Sequence, residues 1–302
     1  MSGAGQSRSS AEQPRVVDVD GVPIAYRALG SGRPLLAVHG WSADHRYLVA
    51  DLEPVFAARQ GWSRIHLDLP GHGATPAPPW LTSNDQMLAL LQGFVDAVLP
   101  GQRFAVLGNS YGGYLSLGLV RTMADRIEGA ALVVPDVPAA DGTRELERPV
   151  TFYPDPDLFD DLADDEAWIP EALPHHEARA LHLIRAHDMP AYRSCDRELL
   201  ARLEAEYVLT GAAGRPGRPF PMPSLVIGGR QDATVGFRAA SRLVDELPRA
   251  TFAVLDLAGH HLGRIERPAV FEALVADWLD RLELHRARGE APGPAADAGR
   301  AY

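Results

Sequence analysis

The chain contains no lysine, and all 29 of its basic side chains are arginine. That absence excludes a Walker A phosphate loop, which needs a Gly-Lys-Ser/Thr step, and any Schiff-base or pyridoxal phosphate attachment, which needs a lysine amine. Cysteine is nearly absent too. Cys195 stands alone, so no internal disulfide can form and nothing marks an oxidising compartment. No apolar run approaches the roughly 20 residues a helix needs to cross a bilayer. The opening stretch, residues 1–14, is polar and Ser/Gly-rich, without the apolar core of a signal peptide. The expected location is therefore the cytoplasm, with no membrane partner. Positive charge is also in deficit: a net charge of −11 opposes binding to phosphate backbones, so nucleic acid is not an expected partner.

With 46% hydrophobic and 23% charged residues the chain reads as globular, and 302 residues suffice for one large α/β domain or two small ones. From Arg15 onward, short β-type runs alternate with longer helical ones, the signature of a mostly parallel sheet flanked by helices. The expected strands are Val16–Val19, Ile24–Ala28, Leu35–Val38, Arg64–Leu67, Phe104–Leu107, Ala130–Val134, Ser224–Ile227 and Phe252–Leu257. Several are continuous apolar runs, as strands covered on both faces should be. Helical spacing is clearest at Met87, Leu91, Phe94 and Val98, and at Phe271, Leu274, Val275, Trp278 and Leu282. These stripes read as core. The alternation breaks between about Pro138 and Pro221, where Leu199, Leu203 and Tyr207, and Leu181 with Ile184, point to helices inserted between two strands. The expected division is a core of 15–137 and 222–285, a helical insertion of 138–221, and disordered ends at 1–14 and 286–302.

The segment Phe104-Ala-Val-Leu-Gly-Asn-Ser-Tyr-Gly-Gly runs from a strand through Gly108-Asn109-Ser110-Tyr111-Gly112 into a helix. That is the setting a Gly-x-Ser-x-Gly nucleophile elbow requires. A serine hydroxyl is a weak nucleophile until a base takes its proton and a carboxylate orients that base. On this topology the partners should follow in the order Ser, Asp, His, each past a later strand. The strand from Ser224 leads to Asp232, and the strand from Phe252 leads to His260. The loop after Leu35-Leu-Ala-Val-His39-Gly40-Trp41 lies beside such an elbow, so the backbone NH groups of Trp41 and Tyr111 are the expected oxyanion donors. His39 itself reads as a structural ring and not as an acid or base.

With these pieces, and with Asp68-Leu-Pro-Gly-His-Gly73, residues 15 to 285 resemble the α/β-hydrolase superfamily. The resemblance implies a central, mainly parallel eight-stranded sheet, with the insertion forming a cap that helps set substrate choice. Epoxide hydrolases and haloalkane dehalogenases carry aspartate at the elbow where this chain has Ser110, so those activities are set aside. Carbon-carbon hydrolases of ring-cleavage products share a similar Gly-Asn-Ser elbow but usually carry a glycine-rich His-Gly-x-Gly loop that Trp41-Ser42 does not match. Relatives usually place glutamate five residues after the catalytic histidine, whereas here the stretch from Gly259-His260-His261 to Glu266 is one residue longer. Counting back from Glu266 selects His261; counting forward from the strand selects His260, which is preferred. Asp136, after the Ala130 strand, is the rival to Asp232.

Other clusters carry less. His175, His176, His182 and His187 fall in no zinc-ligand pattern, so no metal is expected. The acidic run from Asp155 to Glu166 reads as a solvated face, with steering of a cationic substrate as the minor alternative. The expected protein is a serine hydrolase acting on a small-molecule carboxylic ester, lactone or thioester through an acyl-enzyme, with no cofactor. The alternatives are a carbon-carbon bond hydrolase and a non-catalytic receptor on the same fold. His260→Ala should lower kcat for a simple aryl ester by about 10⁴-fold or more, while most of it survives His261→Ala. The reverse outcome in steady-state assays would move the base to His261.

Overall fold

A computed structural model describes residues 14–139 and 141–289. Of the chain ends expected to be disordered, residues 1–13 and 290–302 lie outside the described residues, whereas Arg286 and Ala287 are the last turn of a helix. Eight strands, β1 (Arg15–Val19), β2 (Val22–Gly30), β3 (Arg33–Val38), β4 (Trp62–Leu67), β5 (Phe104–Asn109), β6 (Ile127–Val133), β7 (Ser224–Gly229) and β8 (Ala250–Leu255), form one sheet in the order β1-β2-β4-β3-β5-β6-β7-β8. The β1/β2 and β2/β4 pairs are antiparallel and the remainder parallel. The expected strands are all found, and two end earlier than their apolar runs. Val134 and Leu257 adopt φ of 40° and 53°, a left-handed backbone that breaks a ladder.

Around the sheet lie α1 (His45–Phe56), α2 (Asn84–Val98) and α3 (Tyr111–Thr122). Between β6 and β7 come α4 (Ile169–Ala172), α5 (Ala178–Leu183), α6 (Met189–Ser194) and α7 (Arg197–Ala205). The chain closes with α8 (Arg238–Ser241) and α9 (Pro268–Ala287). The capping signals are local. Asp44 accepts the Arg46 N–H at the start of α1, and Ser83 with Gln86 forms a capping box on α2. α2, α3 and α8 cover one face of the sheet, α1 and α9 the other. β5 and β7 are buried at every residue, which is why both read as unbroken apolar runs and not as alternating ones. Edge strand β8 is only half-buried.

The insertion is divided in its packing. Ile169, Leu173, Leu181, Ile184 and Met189 make a small cluster of their own that closes on Ile265, a residue beyond β8. Leu199 and Leu203 of α7, with Tyr207 just past it, join the main core instead. The insertion is thus fastened at one end to the sheet and sits at the other against the loop after β8. Among the described residues no helix is long and apolar enough to cross a membrane.

Chain order reverses direction between β3 and β5: from β3 the chain moves outward to β4, then returns to lay β5 on the other side. Such a switch point leaves a crevice at the carboxyl ends of the two strands, where open α/β sheets bind ligands. Trp278 anchors the opposite layer, fully buried in α9 with its indole N–H donating to the Pro223 carbonyl at 3.0 Å. Trp278→Ala should lower the unfolding free energy in urea by about 3–5 kcal/mol, since the side chain leaves a cavity that the sheet cannot collapse into.

Candidate active site

Ser110 lies between β5 and α3 with φ 54° and ψ −118°, a backbone conformation that side-chain-bearing residues avoid. Two glycines make it tenable. A Cβ at Gly108 would lie 2.2 Å from the Gly112 carbonyl oxygen, and one at Gly112 would lie 2.0 Å from that of Val38. α3 therefore packs directly on the backbone of β3 and β5. The turn is tied down by the Ser110 N–H donating to the Val133 carbonyl at 2.9 Å and by the Asp136 N–H donating to the Ser110 carbonyl at 3.2 Å.

Ser110 Oγ is 2.9 Å from His260 Nε2, and His260 Nδ1 is 2.8 Å from Asp232 Oδ2. Asp232, three residues past β7, is fully buried, and its other oxygen accepts the N–H groups of Thr234 (2.9 Å) and Val235 (3.0 Å). The loops carrying Asp232 and His260 meet through glycine, for a Cβ at Gly229 would stand 2.1 Å from the Gly259 carbonyl oxygen. The side chains of the two rivals have other partners. Asp136 is buried under Arg144, which donates to it at 2.8 Å, and under the Tyr207 hydroxyl at 2.6 Å. His261 makes no hydrogen bond to Ser110 and stacks on Trp168, with ring centroids 5.3 Å apart.

The unusual spacing before Glu266 has a local cause. Residues Leu262–Glu266 form a π-turn, in which the N–H groups of Glu266 and Arg267 donate to carbonyls five residues back, at His261 (3.3 Å) and Leu262 (2.9 Å). A π-turn holds one residue more than an α-turn. The extra residue is thus absorbed after His261, and Glu266 still accepts the Gly259 N–H at 2.8 Å.

His39 is fully buried. Its Nε2 accepts the Leu69 N–H at 3.0 Å, so Nδ1 carries the proton and donates to the Gly40 carbonyl at 2.8 Å. This bond fixes the exit of β3, and Trp41 follows with its ring edge-on to Tyr111, centroids 4.9 Å apart. Among the described residues neither the Trp41 N–H nor the Tyr111 N–H has an acceptor. Asp68 serves the same loops, accepting the His45 N–H at 2.8 Å and the Ala74 N–H at 3.0 Å. Asp44, His45 and Asp68 also gather ligand-type atoms within 4.8 Å, but protein donors already engage their carboxylates.

Ser110, His260 and Trp41 open onto a cavity of about 250 Å³. Its other walls include Tyr47 of α1 and Trp168, Asp188 and Tyr192 of the insertion. None of these four carries a motif, and only the fold brings them to the site. Among the described residues no arginine lines the cavity, and Asp188 is the one carboxylate that does. The acidic run at the start of the insertion is partly engaged, with Asp161 and Glu166 on Arg185 and Asp165 on Arg193.

A sequence model of the "Alpha/beta hydrolase family" matches residues 35–274. The chain is 23% identical over 296 residues, 91% of its own length and 94% of the relative's, to a 2-hydroxy-6-oxo-6-(2'-aminophenyl)hexa-2,4-dienoic acid hydrolase of Metapseudomonas resinovorans. It is 26% identical over 289 residues to a 2-hydroxymuconate semialdehyde hydrolase of Pseudomonas sp. strain CF600, covering 90% of this chain and 95% of that one. Among solved structures it is similar to an alpha/beta superfamily hydrolase from Oenococcus oeni PSU-1, with a TM-score of 0.78, 23% identity, and coverage of 89% of this chain and 99% of the other.

Burial by itself disfavours the His260 imidazolium, but the charge and hydrogen bond of Asp232 outweigh it and raise the His260 pKa above the ordinary value. Asp232 is lowered correspondingly: burial works against its charge, and His260 with the two N–H donors outweighs it. Glu266 behaves in the opposite way. Burial pushes its carboxyl up to about 8, against the Gly259 N–H that favours the charged form. A carboxyl held neutral in the folded chain binds more protons there than when unfolded. The stability it contributes is full below about pH 4.5 and is lost as pH rises to about 8. Denaturant titrations should show that decline across the interval, and Glu266→Gln should flatten it.

Proposed function

Because the chain belongs to the alpha/beta hydrolase family, we propose that it is a cytoplasmic serine hydrolase that cleaves a small carboxylic ester through an acyl-enzyme, with lactones and thioesters as chemically related substrates. The observation that carries this reading is the hydrogen-bonded chain Ser110 Oγ, His260, Asp232 at the strained end of β5. His260 Nε2 accepts the hydroxyl proton as Ser110 Oγ attacks the substrate carbonyl carbon, and Asp232 stabilises the resulting imidazolium. The carbonyl oxygen gains negative charge beside the N–H groups of Trp41 and Tyr111, which have no competing acceptor among the described residues. The imidazolium then returns its proton to the departing alkoxide. Water, deprotonated by the same ring, attacks the acyl carbon, and collapse of that second intermediate frees the acid and restores the Ser110 hydroxyl.

The likeness to two ring-fission hydrolases favours a second reading, cleavage of a carbon-carbon bond next to a ketone. One of those relatives is named for a dienoic acid, an anionic substrate. A cavity whose described walls include Asp188 and no arginine is poorly suited to desolvating a carboxylate. The ester reading is therefore preferred.

A fluorophosphonate probe should label Ser110 in the folded protein, and Ser110→Ala should abolish labelling and reduce ester turnover by about 10⁶-fold. Since His260 must be neutral to act, kcat/KM should fall as pH drops through a value above 6.5, the ordinary imidazole value. Asp232→Asn should move that limb to lower pH and cost about 10⁴-fold in rate. Folded protein that resists the probe would favour a receptor, and turnover of a vinylogous diketone but no aryl ester would favour carbon-carbon cleavage.

A further inference from the structure

The cavity holds a second oriented histidine that the steps above leave unused. His261 is stacked on Trp168 with the planes 24° apart, so its ring cannot turn freely. Its Nδ1 lies 3.2 Å from Asp188 Oδ2, within ion-pair range but not aligned as a hydrogen bond, and neither of these buried atoms has a hydrogen-bond partner among the described residues. Asp188 is itself anchored. Arg264 Nη2 donates to its Oδ1 at 2.5 Å, and Arg264 Nη1 donates to the buried Asp51 of α1 at 2.8 Å. The carboxyl beside Nδ1 favours a proton on that nitrogen by its charge, and in that tautomer Nε2 is the acceptor.

That Nε2 has no partner among the described residues, and the ring lines the cavity 6.2 Å from His260, centroid to centroid. The surrounding walls are Trp41, Tyr47, Trp168 and Tyr192. An aromatic slot in which His261 Nε2 is held in a set direction suits a flat ring that carries a donor. Packing on Trp168 alone would be served as well by phenylalanine, without the cost of burying two polar groups with no hydrogen bond between them.

We propose that His261 is a specificity residue, whose Nε2 accepts a hydrogen bond from a hydroxyl or amino N–H on the substrate, so that the site selects aromatic esters bearing such a donor. The proposal rests on the ester reading of the same cavity. A site built to bond a hydroxyl rejects the analogue lacking it far more strongly than an apolar pocket distinguishes shapes.

The test uses phenyl acetate and its 2-, 3- and 4-hydroxyphenyl counterparts. Their binding to the Ser110→Ala protein, which leaves them uncleaved, is followed by quenching of tryptophan fluorescence. At least one hydroxylated isomer should bind about tenfold tighter than phenyl acetate. Adding His261→Phe should bring that ratio to about one, whereas His261→Gln, which keeps an acceptor, should retain part of it. Equal affinities, undetectable binding, or a preference that survives His261→Phe would overturn the assignment. Turnover of the same esters by the protein with Ser110 intact tests the other reading separately. Cleavage without preference sinks the recognition role alone, and preference without cleavage sinks the esterase reading alone.

Discussion

The site depends on a backbone contact. α3 can lie on the ends of β3 and β5 only because positions 108 and 112 carry no side chain, and that closeness holds Ser110 in its left-handed conformation. Several consequences follow from the one constraint. The hydroxyl is lifted out of the sheet at the switch point, the first N–H of α3 is turned beside it, and the β3 exit carrying Trp41 is brought within ring contact of Tyr111. Strain of about 1–3 kcal/mol at one residue persists only where the surroundings over-determine it, and here buried strands on either side supply that.

The second half of the site is assembled from loops that meet edge to edge. Gly229 and Gly259 let the ends of β7 and β8 approach, which sets Asp232 against His260. Glu266 grips the same loop from behind as a neutral acid, and Arg264 ties it to both α1 and the insertion. One short stretch after β8 therefore joins the sheet, the insertion and the cavity. A residue added there could have displaced His260. The π-turn takes it up on the far side of His261 instead.

Much of this was legible in the chain itself. The strands are continuous apolar runs because both faces are covered, and the turn at Ser110 announces itself through glycine, whose placement answers a steric need within five residues. Asp232 and His260 could be proposed from order alone, since each lies just past a strand. Their rivals could not be dismissed on the same basis. Asp136 also follows a strand, and only Arg144 and Tyr207, the latter 71 residues away, occupy its carboxylate. His261 is adjacent to His260, and only the course of the loop decides which ring faces Ser110.

The sequence by itself determined the elements whose cause is local: strand and helix identity, the glycine-bound turn, the absence of amine chemistry in a chain without lysine. The tertiary structure decided which candidate groups meet, and what lines the cavity. Tyr47, Trp168 and the pair Asp188 and Tyr192, one helical turn apart, come from separate stretches of the chain. Periodicity reports which face of an element is buried, but a binding wall is a sum over elements, and its members become neighbours only when the insertion closes on the sheet.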